Sequence, residues 1–282
     1  MKKRTVLLLT MIALLLSGCA LLTSEQTAGQ ESTPETTPEP PDERKTDEEF
    51  VAAVSRALQA RWDAAAEYSA ADLAAMSAAE YQSYLRGCVT AEEKELGSIV
   101  DYRFFDADLA ALAQQYYHAL SLQRNGAEYA RTSALAEYNA SWVLGYNYRV
   151  AALWDLARDF SLKVEETYSS RLEELLAAHH EAKKQVAFHE MTDRLPGELV
   201  YEEDTAASDE ATICYVGWIT NTTEYDIKSL SIGISFLDSD GNIVAQTTDW
   251  ISDLHAGQSA RSVIYAPVWD YAGMQYTLSI YQ

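Results

Sequence analysis

Two hydrophobic periods run along this chain, and the first gives way to the second once. From Thr46 onward apolar side chains return every three or four residues: Phe50, Val54, Leu58 and Trp62, with alanines between, through about Tyr68. That spacing predicts a helix with one buried stripe. Thr46-Asp47-Glu48-Glu49 opens it as a capping box. A second box, Ser77-Ala78-Ala79-Glu80, starts a helix carrying Tyr81, Tyr84, Leu85, Cys88, Val89 and Leu96. Asp106 caps a third, with Leu109, Leu112, Tyr116, Ala119 and Leu120 on one stripe and a stop near Asn125-Gly126. A fourth stretch runs from about Ala134 to Phe160 with Gly145 as its weakest point. A last runs from about Val164 to Met191, ended by Leu195-Pro196-Gly197. Five amphipathic helices with short connections predict an antiparallel bundle, and no strict heptad persists that would favour a coiled coil.

After Pro196-Gly197 the period becomes two. Leu230, Ile232, Ile234 and Phe236 alternate with Ser229, Ser231, Gly233 and Ser235, and Asp238-Ser239-Asp240-Gly241-Asn242 follows as a hairpin turn. Thr212 to Thr220, Ile243 to Trp250, Ser259 to Tyr265 and Gln275 to Tyr281 supply further strands, punctuated by Asn221-Thr222-Thr223 and His255-Ala256-Gly257-Gln258. Short strands with turn chemistry between them predict an antiparallel sandwich.

The N-terminus fits neither period. Met1-Lys2-Lys3-Arg4 is a basic opening, and Val6 to Leu16 an apolar run broken only by Thr10, too short to cross a bilayer comfortably. Leu16-Ser17-Gly18-Cys19 closes it and resembles the lipobox of bacterial lipoproteins, which implies cleavage before Cys19 and a diacylglyceryl thioether, with palmitate-type acyl chains, on its sulfur. From Thr23 to Lys45 the chain turns to Thr, Ser, Glu, Gln and Pro, without apolar periodicity. Such a stretch reads as a solvated, extended spacer; a proline-rich recognition ligand is the sharper and weaker alternative. The expected organisation is α+β and multidomain: a signal peptide at 1–18, a Pro/Thr/Glu-rich tether at 19–45, an α-helical bundle at 46–195 and a β-sandwich at 196–282.

Composition narrows the partners. An apolar content of 48% with 11% aromatics supports real cores. Losing Lys2, Lys3 and Arg4 with the leader takes the formal charge from −22 to −25, a surface that repels nucleic acid and anionic headgroups. With Cys19 assigned to lipid, Cys88 and Cys214 fall in different expected domains among apolar neighbours and read as buried free thiols.

The C-terminal quarter, from about Ala211 to Gln282, resembles the FxLYD family, an immunoglobulin-like domain of Gram-positive surface lipoproteins. The likeness rests on Gly217-Trp218-Ile219-Thr220-Asn221-Thr222-Thr223, Asp226-Ile227, Ile234-Ser235-Phe236-Leu237-Asp238, Asp240-Gly241, and Leu254 with Gly257. In the naming pentapeptide, isoleucine, phenylalanine and leucine replace phenylalanine, leucine and tyrosine. The helices ahead of it, especially Asp47-Glu48-Glu49-Phe50 through Ala60-Arg61-Trp62, are similar to the uncharacterised helical region found before this domain. The resemblance implies an immunoglobulin-like fold and carries no catalytic residues to transfer.

No Gly-x-Ser-x-Gly, His-Glu-x-x-His, phosphate loop or Rossmann glycines occur. His179-His180 and His189 have no ligand spacing, so a polar helix face with Lys183 and Lys184 is the expectation there, with no cofactor and no metal. Asp238, Asp240 and Asn242 imitate the start of a calcium loop, but no glutamate follows at the bidentate position, which favours a hairpin tip. The aromatics around Trp142, Tyr146, Tyr148 and Trp154 are read first as packing and second as a binding patch. The resulting expectation is a lipid-anchored protein on the extracytoplasmic face of the cell membrane. It would be a non-catalytic protein-binding or scaffold module meeting an unknown envelope or extracellular protein. The alternative makes the helical part an enzyme or small-ligand receptor and the sandwich its spacer.

Overall fold

The first capping box forms as the sequence dictates, and it shows how the helices are held at their ends. In the computed structural model, which describes residues 43–267 and 271–281, α1 spans Asp47–Ala66. The Thr46 hydroxyl accepts from the Glu49 amide, and the Glu49 carboxylate accepts from the Thr46 amide at 2.7 Å. Cys19, the leader and the tether as far as residue 42 lie outside the described residues, but Lys45, the last residue of the expected solvated spacer, is held in the fold: its amide donates to the Asp101 carbonyl at 2.8 Å and its carbonyl accepts from the Arg103 amide at 2.7 Å. The Asp47 carboxylate reaches across to accept from the amides of Phe105 and Asp106, at 3.0 and 3.1 Å, where the third expected helix begins.

After α1 comes a short helix that hydrophobic periodicity did not announce, α2 (Ala70–Ala75), capped by Ser69 and Asp72. Arg131 closes its other end by donating to the carbonyls of Leu73 and Met76 while lying over the Tyr81 ring at 3.9 Å. Helices α3 (Ala78–Leu96) and α4 (Ala107–Gly126) follow their predicted caps, Ser77 and Asp106. The expected fourth stretch is α5 (Leu135–Tyr138), one π-turn over Asn139–Val143 and α6 (Leu144–Asp159).

Gly145 is there because of close approach. A Cβ on it would sit 2.8 Å from the Ala119 carbonyl oxygen and 2.9 Å from the Gln123 side chain. The residue that weakens α6 as an isolated helix is what lets α6 lie against α4. The last expected helix is two helices: after the 3-10 turn Glu166–Tyr168 come α7 (Ser169–Ala177) and α8 (His179–Glu198), with the break at Ala178. The expected stop at Leu195-Pro196-Gly197 falls where α8 ends: Pro196 cannot make the bond to the Thr192 carbonyl, the helix runs only two residues further, and the Leu199 amide closes it on the Leu195 carbonyl at 2.9 Å.

Among the described residues six strands follow: β1 (Tyr201–Glu203), β2 (Thr212–Thr220), β3 (Ile227–Leu237), β4 (Ile243–Leu254), β5 (Ser259–Pro267) and β6 (Gly273–Tyr281). They form two antiparallel sheets, ordered β1-β2-β5 and β4-β3-β6. Tyr215, Ile219 and Ile264 from the first sheet meet Leu230, Ile232, Ile234 and Phe236 from the second in one apolar cluster. Phe188, Met191, Leu195 and Leu199 belong to that same cluster, so the C-terminal half of α8 is part of the β core. Helices and sheets lie within one compact unit, Glu43–Gln282. The helical core proper gathers Phe50, Leu58, Leu96, Leu109, Leu120, Leu153 and Leu156. Each such side chain contributes about 1.5–3 kcal/mol when fully buried. The architecture is thus α+β: a helical region, then two antiparallel sheets.

Candidate functional site

At the centre of the helices sits a charged group that the apolar stripes conceal. Glu92 occupies α3 four residues after Cys88 and four before Leu96, squarely on the buried face, and it is fully shielded. Its Oε2 accepts from Arg61 Nη1 of α1 at 2.7 Å, and its Oε1 accepts from Arg149 Nε of α6 at 2.8 Å. The Tyr116 hydroxyl of α4 donates to that same Oε1. Arg61 Nη1 also donates to Gln123 Oε1, 3.0 Å away on α4, and its guanidinium faces the Trp142 ring at 5.9 Å. Four helices therefore converge on one carboxylate.

The electrostatics follow from that geometry. Burial pushes the Glu92 carboxyl up, but Arg149, Arg61 and the Tyr116 hydroxyl together outweigh it and hold Glu92 below the usual glutamate value. Burial and the adjacent Glu92 charge push the Tyr116 phenol well above the ordinary tyrosine range. Burial alone would lower Arg149, yet Glu92 holds it above its usual value. The ensemble is one carboxylate against two guanidiniums. Among the described residues two buried donors, Gln123 Nε2 and Arg149 Nη2, have no hydrogen-bond partner, and both are closed to solvent. A carboxylate kept ionised and walled in by its own partners is an electrostatic tie between helices; an open acid–base pair needs a protonation state poised near working pH and an approach for substrate.

Clefts open on the helical surface among the described residues. One of about 650 Å³ lies between α1 and the segment after α6 and is lined by apolar Val51, Leu109, Phe160 and Val164 together with charged Arg56 and Lys163. A second, about 490 Å³, runs past Trp62, Tyr68, Tyr146 and Arg171. A third, about 470 Å³, reaches Tyr84 and Cys88 but is not lined by Glu92, Arg61 or Arg149. Burial first, and then Cys88, pushes the Tyr84 phenol up to about 12, and burial raises the Cys88 thiol.

The residues singled out from sequence are dispersed. His179 stacks flat on Trp154 with ring centres 3.5 Å apart and pairs with the Leu176 carbonyl, while His180 meets the edge of Tyr225. His189 faces Asp193 at 3.3 Å and, together with His118, flanks Tyr148. His255 lies 3.2 Å from Asp226. Among the described residues no group of three or more His, Cys, Asp or Glu is arranged to hold a metal. Tyr148 is buried, and Trp142, Tyr146 and Trp154 are half-buried, so that aromatic group packs rather than forming an exposed patch. Cys88 and Cys214 are buried free thiols. Asp238 spends its carboxylate inside its own turn, accepting from the amides of Asp240 and Asn242, both at 2.9 Å, with Gly241 at φ +84°: a hairpin tip.

Exposed rings stand elsewhere: Phe105 just before α4, Tyr68 just after α1, and four on the sheets. Trp218 (64% exposed) and Tyr265 (58%) stand on the outer face of the first sheet, with Trp250 (56%) and Tyr281 (52%) on that of the second. Among the described residues no helix is long and apolar enough to cross a membrane. Comparison with protein-family models, with curated proteins and with solved structures yields no match.

Proposed function

We propose that this chain is a membrane-anchored, extracytoplasmic lipoprotein. Its folded part is a non-catalytic protein-binding or scaffold module of the cell envelope. The observation that carries the reading is a contrast in accessibility. The ionisable centre at Glu92 is sealed by its own partners, while four large aromatic rings stand more than half exposed on the outer faces of the sheets. Exposed aromatics are the side chains that anchor protein interfaces, because they bring large contact area at low entropic cost. The leader pattern ending in Cys19 supplies the location. In the finer description of the fold, the helices are an antiparallel bundle and the sheets an immunoglobulin-like sandwich of the FxLYD kind. Two antiparallel sheets sharing one core, and the Asn221 loop pinned at its end, support that description.

Crosslinking in intact cells followed by pull-down tests it. A protein partner is expected, with recovery falling several-fold for Trp218→Ala combined with Tyr265→Ala. A co-purifying small molecule with no protein partner overturns it. Mass spectrometry of the membrane fraction is expected to find a diacylated Cys19 as first residue, and an unmodified mature N-terminus removes the anchor. The second reading, a helical enzyme or small-ligand receptor with the sheets as spacer, draws on one observation: the unpartnered buried donors Gln123 Nε2 and Arg149 Nη2.

A further inference from the structure

The outer face of the β4-β3-β6 sheet differs in chemistry from the rest of the surface. Its middle strand presents Ser229, Ser231, Gly233 and Ser235, small side chains at alternate positions that form a shallow floor. On one side β4 sets Ser252, Trp250, Thr248 and Gln246 opposite them. On the other, β6 sets Tyr281, Ser279, Thr277 and Gln275. The register makes each row a match across the sheet: Thr248–Gly233–Thr277, Gln246–Ser235–Gln275, and at one end Trp250–Ser231–Ser279 beside Ser252–Ser229–Tyr281. All eight outer-strand positions are exposed, so no other part of the described fold covers the face.

None of these twelve positions carries a charge, in a chain with 21 basic and 43 acidic residues and a net charge of −22. A surface of ordinary composition would place about three or four charges among them. The other sheet shows the ordinary case: its outer face sets Arg261 opposite Trp218, and Arg261 approaches Asp204 at 3.5 Å. The uncharged face instead offers hydroxyls and amides in rows, with the Trp250 and Tyr281 rings 5.4 Å apart at one end. The Gln246 amide already donates to the Ser235 hydroxyl at 2.9 Å, so the rows are mutually oriented.

We infer that this face is a binding platform for a neutral, ribbon-shaped β-linked polysaccharide. The charge balance selects the occupant: anionic and cationic partners find no complement here, and a neutral polyhydroxyl chain finds donors and acceptors along its whole length. The Trp250 and Tyr281 rings suit the apolar C–H faces of sugar rings, which pack on aromatic surfaces while their hydroxyls stay in hydrogen bonds. Three strands give a platform about 10 Å wide and, from Ser229 to Ser235, about 20 Å long, enough to hold several consecutive sugars. The inference goes beyond the protein-scaffold reading and uses the opposite sheet from the one tested there, so either can fail alone.

The test is sedimentation of the purified full chain with microcrystalline cellulose and with chitin, beside tryptophan fluorescence titrated with their soluble oligosaccharides. Binding to at least one is expected, weakened tenfold or more by Trp250→Ala and by Tyr281→Ala. Thr248→Glu, which adds a charge without removing any packing, is expected to do the same. Trp218→Ala is expected to bind as the unaltered chain does. All four positions are exposed, so unchanged melting temperatures are expected to accompany these results. Sedimentation with neither polysaccharide overturns the inference. So does equal binding by the Trp250, Tyr281 and Thr248 variants, or a protein partner that docks on this face in place of a glycan.

Discussion

At the centre of the helices the Glu92 carboxylate and the Arg149 guanidinium are shut away from water, with Arg61 half-buried beside them, whereas the deepest polar groups of the sheets are a neutral amide and a hydroxyl. Asn221 is fully buried, and its Nδ2 donates to the carbonyls of Tyr225 and Leu254 while its Oδ1 accepts from the Thr223 amide and hydroxyl. Ser262 donates to Asp249 at 2.5 Å and lies 2.6 Å from the Tyr201 hydroxyl. The amide's partners are mostly neighbours in the chain, and losing one leaves no naked charge. The Glu92 group draws on residues 24 to 57 positions away, and each member is tolerable inside only while the others stay in place. A buried ion group is therefore a poor source of net stability and a strict demand for correct helix packing.

The largest effect is expected where that demand is broken. Glu92→Gln leaves Arg61 and Arg149 facing each other without a counter-charge and should destabilise the helical region by about 3–5 kcal/mol. Hydrogen exchange read by mass spectrometry should show protection falling in α1, α3, α4 and α6 more than in β2 and β3. An equal loss in both would erase the contrast. Replacing the group by hydrocarbon, Arg61→Met with Glu92→Leu and Arg149→Met, is expected to recover most of the loss, because no charge is then left unpaired. Acid sharpens the same point. Glu92 is held below its ordinary value in the folded chain. Its contribution is therefore complete above the unfolded glutamate pKa, about 4.3, and is lost as pH falls through the lower folded value. The stability gap between the unaltered chain and Glu92→Gln should be constant near neutrality and close progressively below about pH 4.

The counterpart in the sheets is smaller and indifferent to pH. Asn221→Ala removes the donor to Tyr225 and Leu254 and the acceptor for Thr223, leaving buried backbone groups unsatisfied at a cost of about 1–3 kcal/mol each in the worst case. Urea titrations at pH 7 and pH 4.5 should give the same loss. A loss that depends on pH would mean that the end of the sandwich is coupled to a titrating group, and the two cores would no longer differ in kind.

The same division explains what could be read along the chain. Caps and strands rest on residues within a few positions of each other, and β2 falls on Thr212–Thr220 as alternation and turn chemistry predict. The short helix α2 and the three-residue β1 escape because neither is long enough to display a period. The break between α7 and α8 escapes because both helices continue one amphipathic stretch, whereas Pro196 marks the end of α8 to within two residues because its ring and missing N–H disrupt the turn it sits in. The charged centre is legible only in retrospect. Glu92 sits on the Cys88–Leu96 stripe and Arg149 inside the run Tyr148–Leu153, so a charge at an apolar position was the available signal. What no spacing could supply was that the two face each other, together with Arg61, Tyr116 and Gln123. The glycine at 145 misleads in the opposite direction: local propensity marks it as a weakness, and only the nearby Ala119 carbonyl shows it to be required.

The smallest effects test whether local motifs behave alike in both regions. Thr46→Ala removes the hydroxyl that accepts from the Glu49 amide, and a lost threonine cap costs about 1 kcal/mol. In the sheets the matching change is Gly241→Ala at the hairpin tip. There is open space around that glycine, so the penalty is backbone strain at φ +84° and not a clash, about 1–2 kcal/mol. The two positions share no partner, so the double variant should equal the sum of the singles within about 0.5 kcal/mol. Additivity here, beside strong coupling between Glu92→Gln and Arg149→Met, would locate the chain's long-range cooperativity in the charged centre. Coupling of similar size between Thr46 and Gly241 would mean instead that a local change is felt across the folded chain from helices to sheets, by way of α8, whose Phe188, Met191 and Leu195 already lie in the β core.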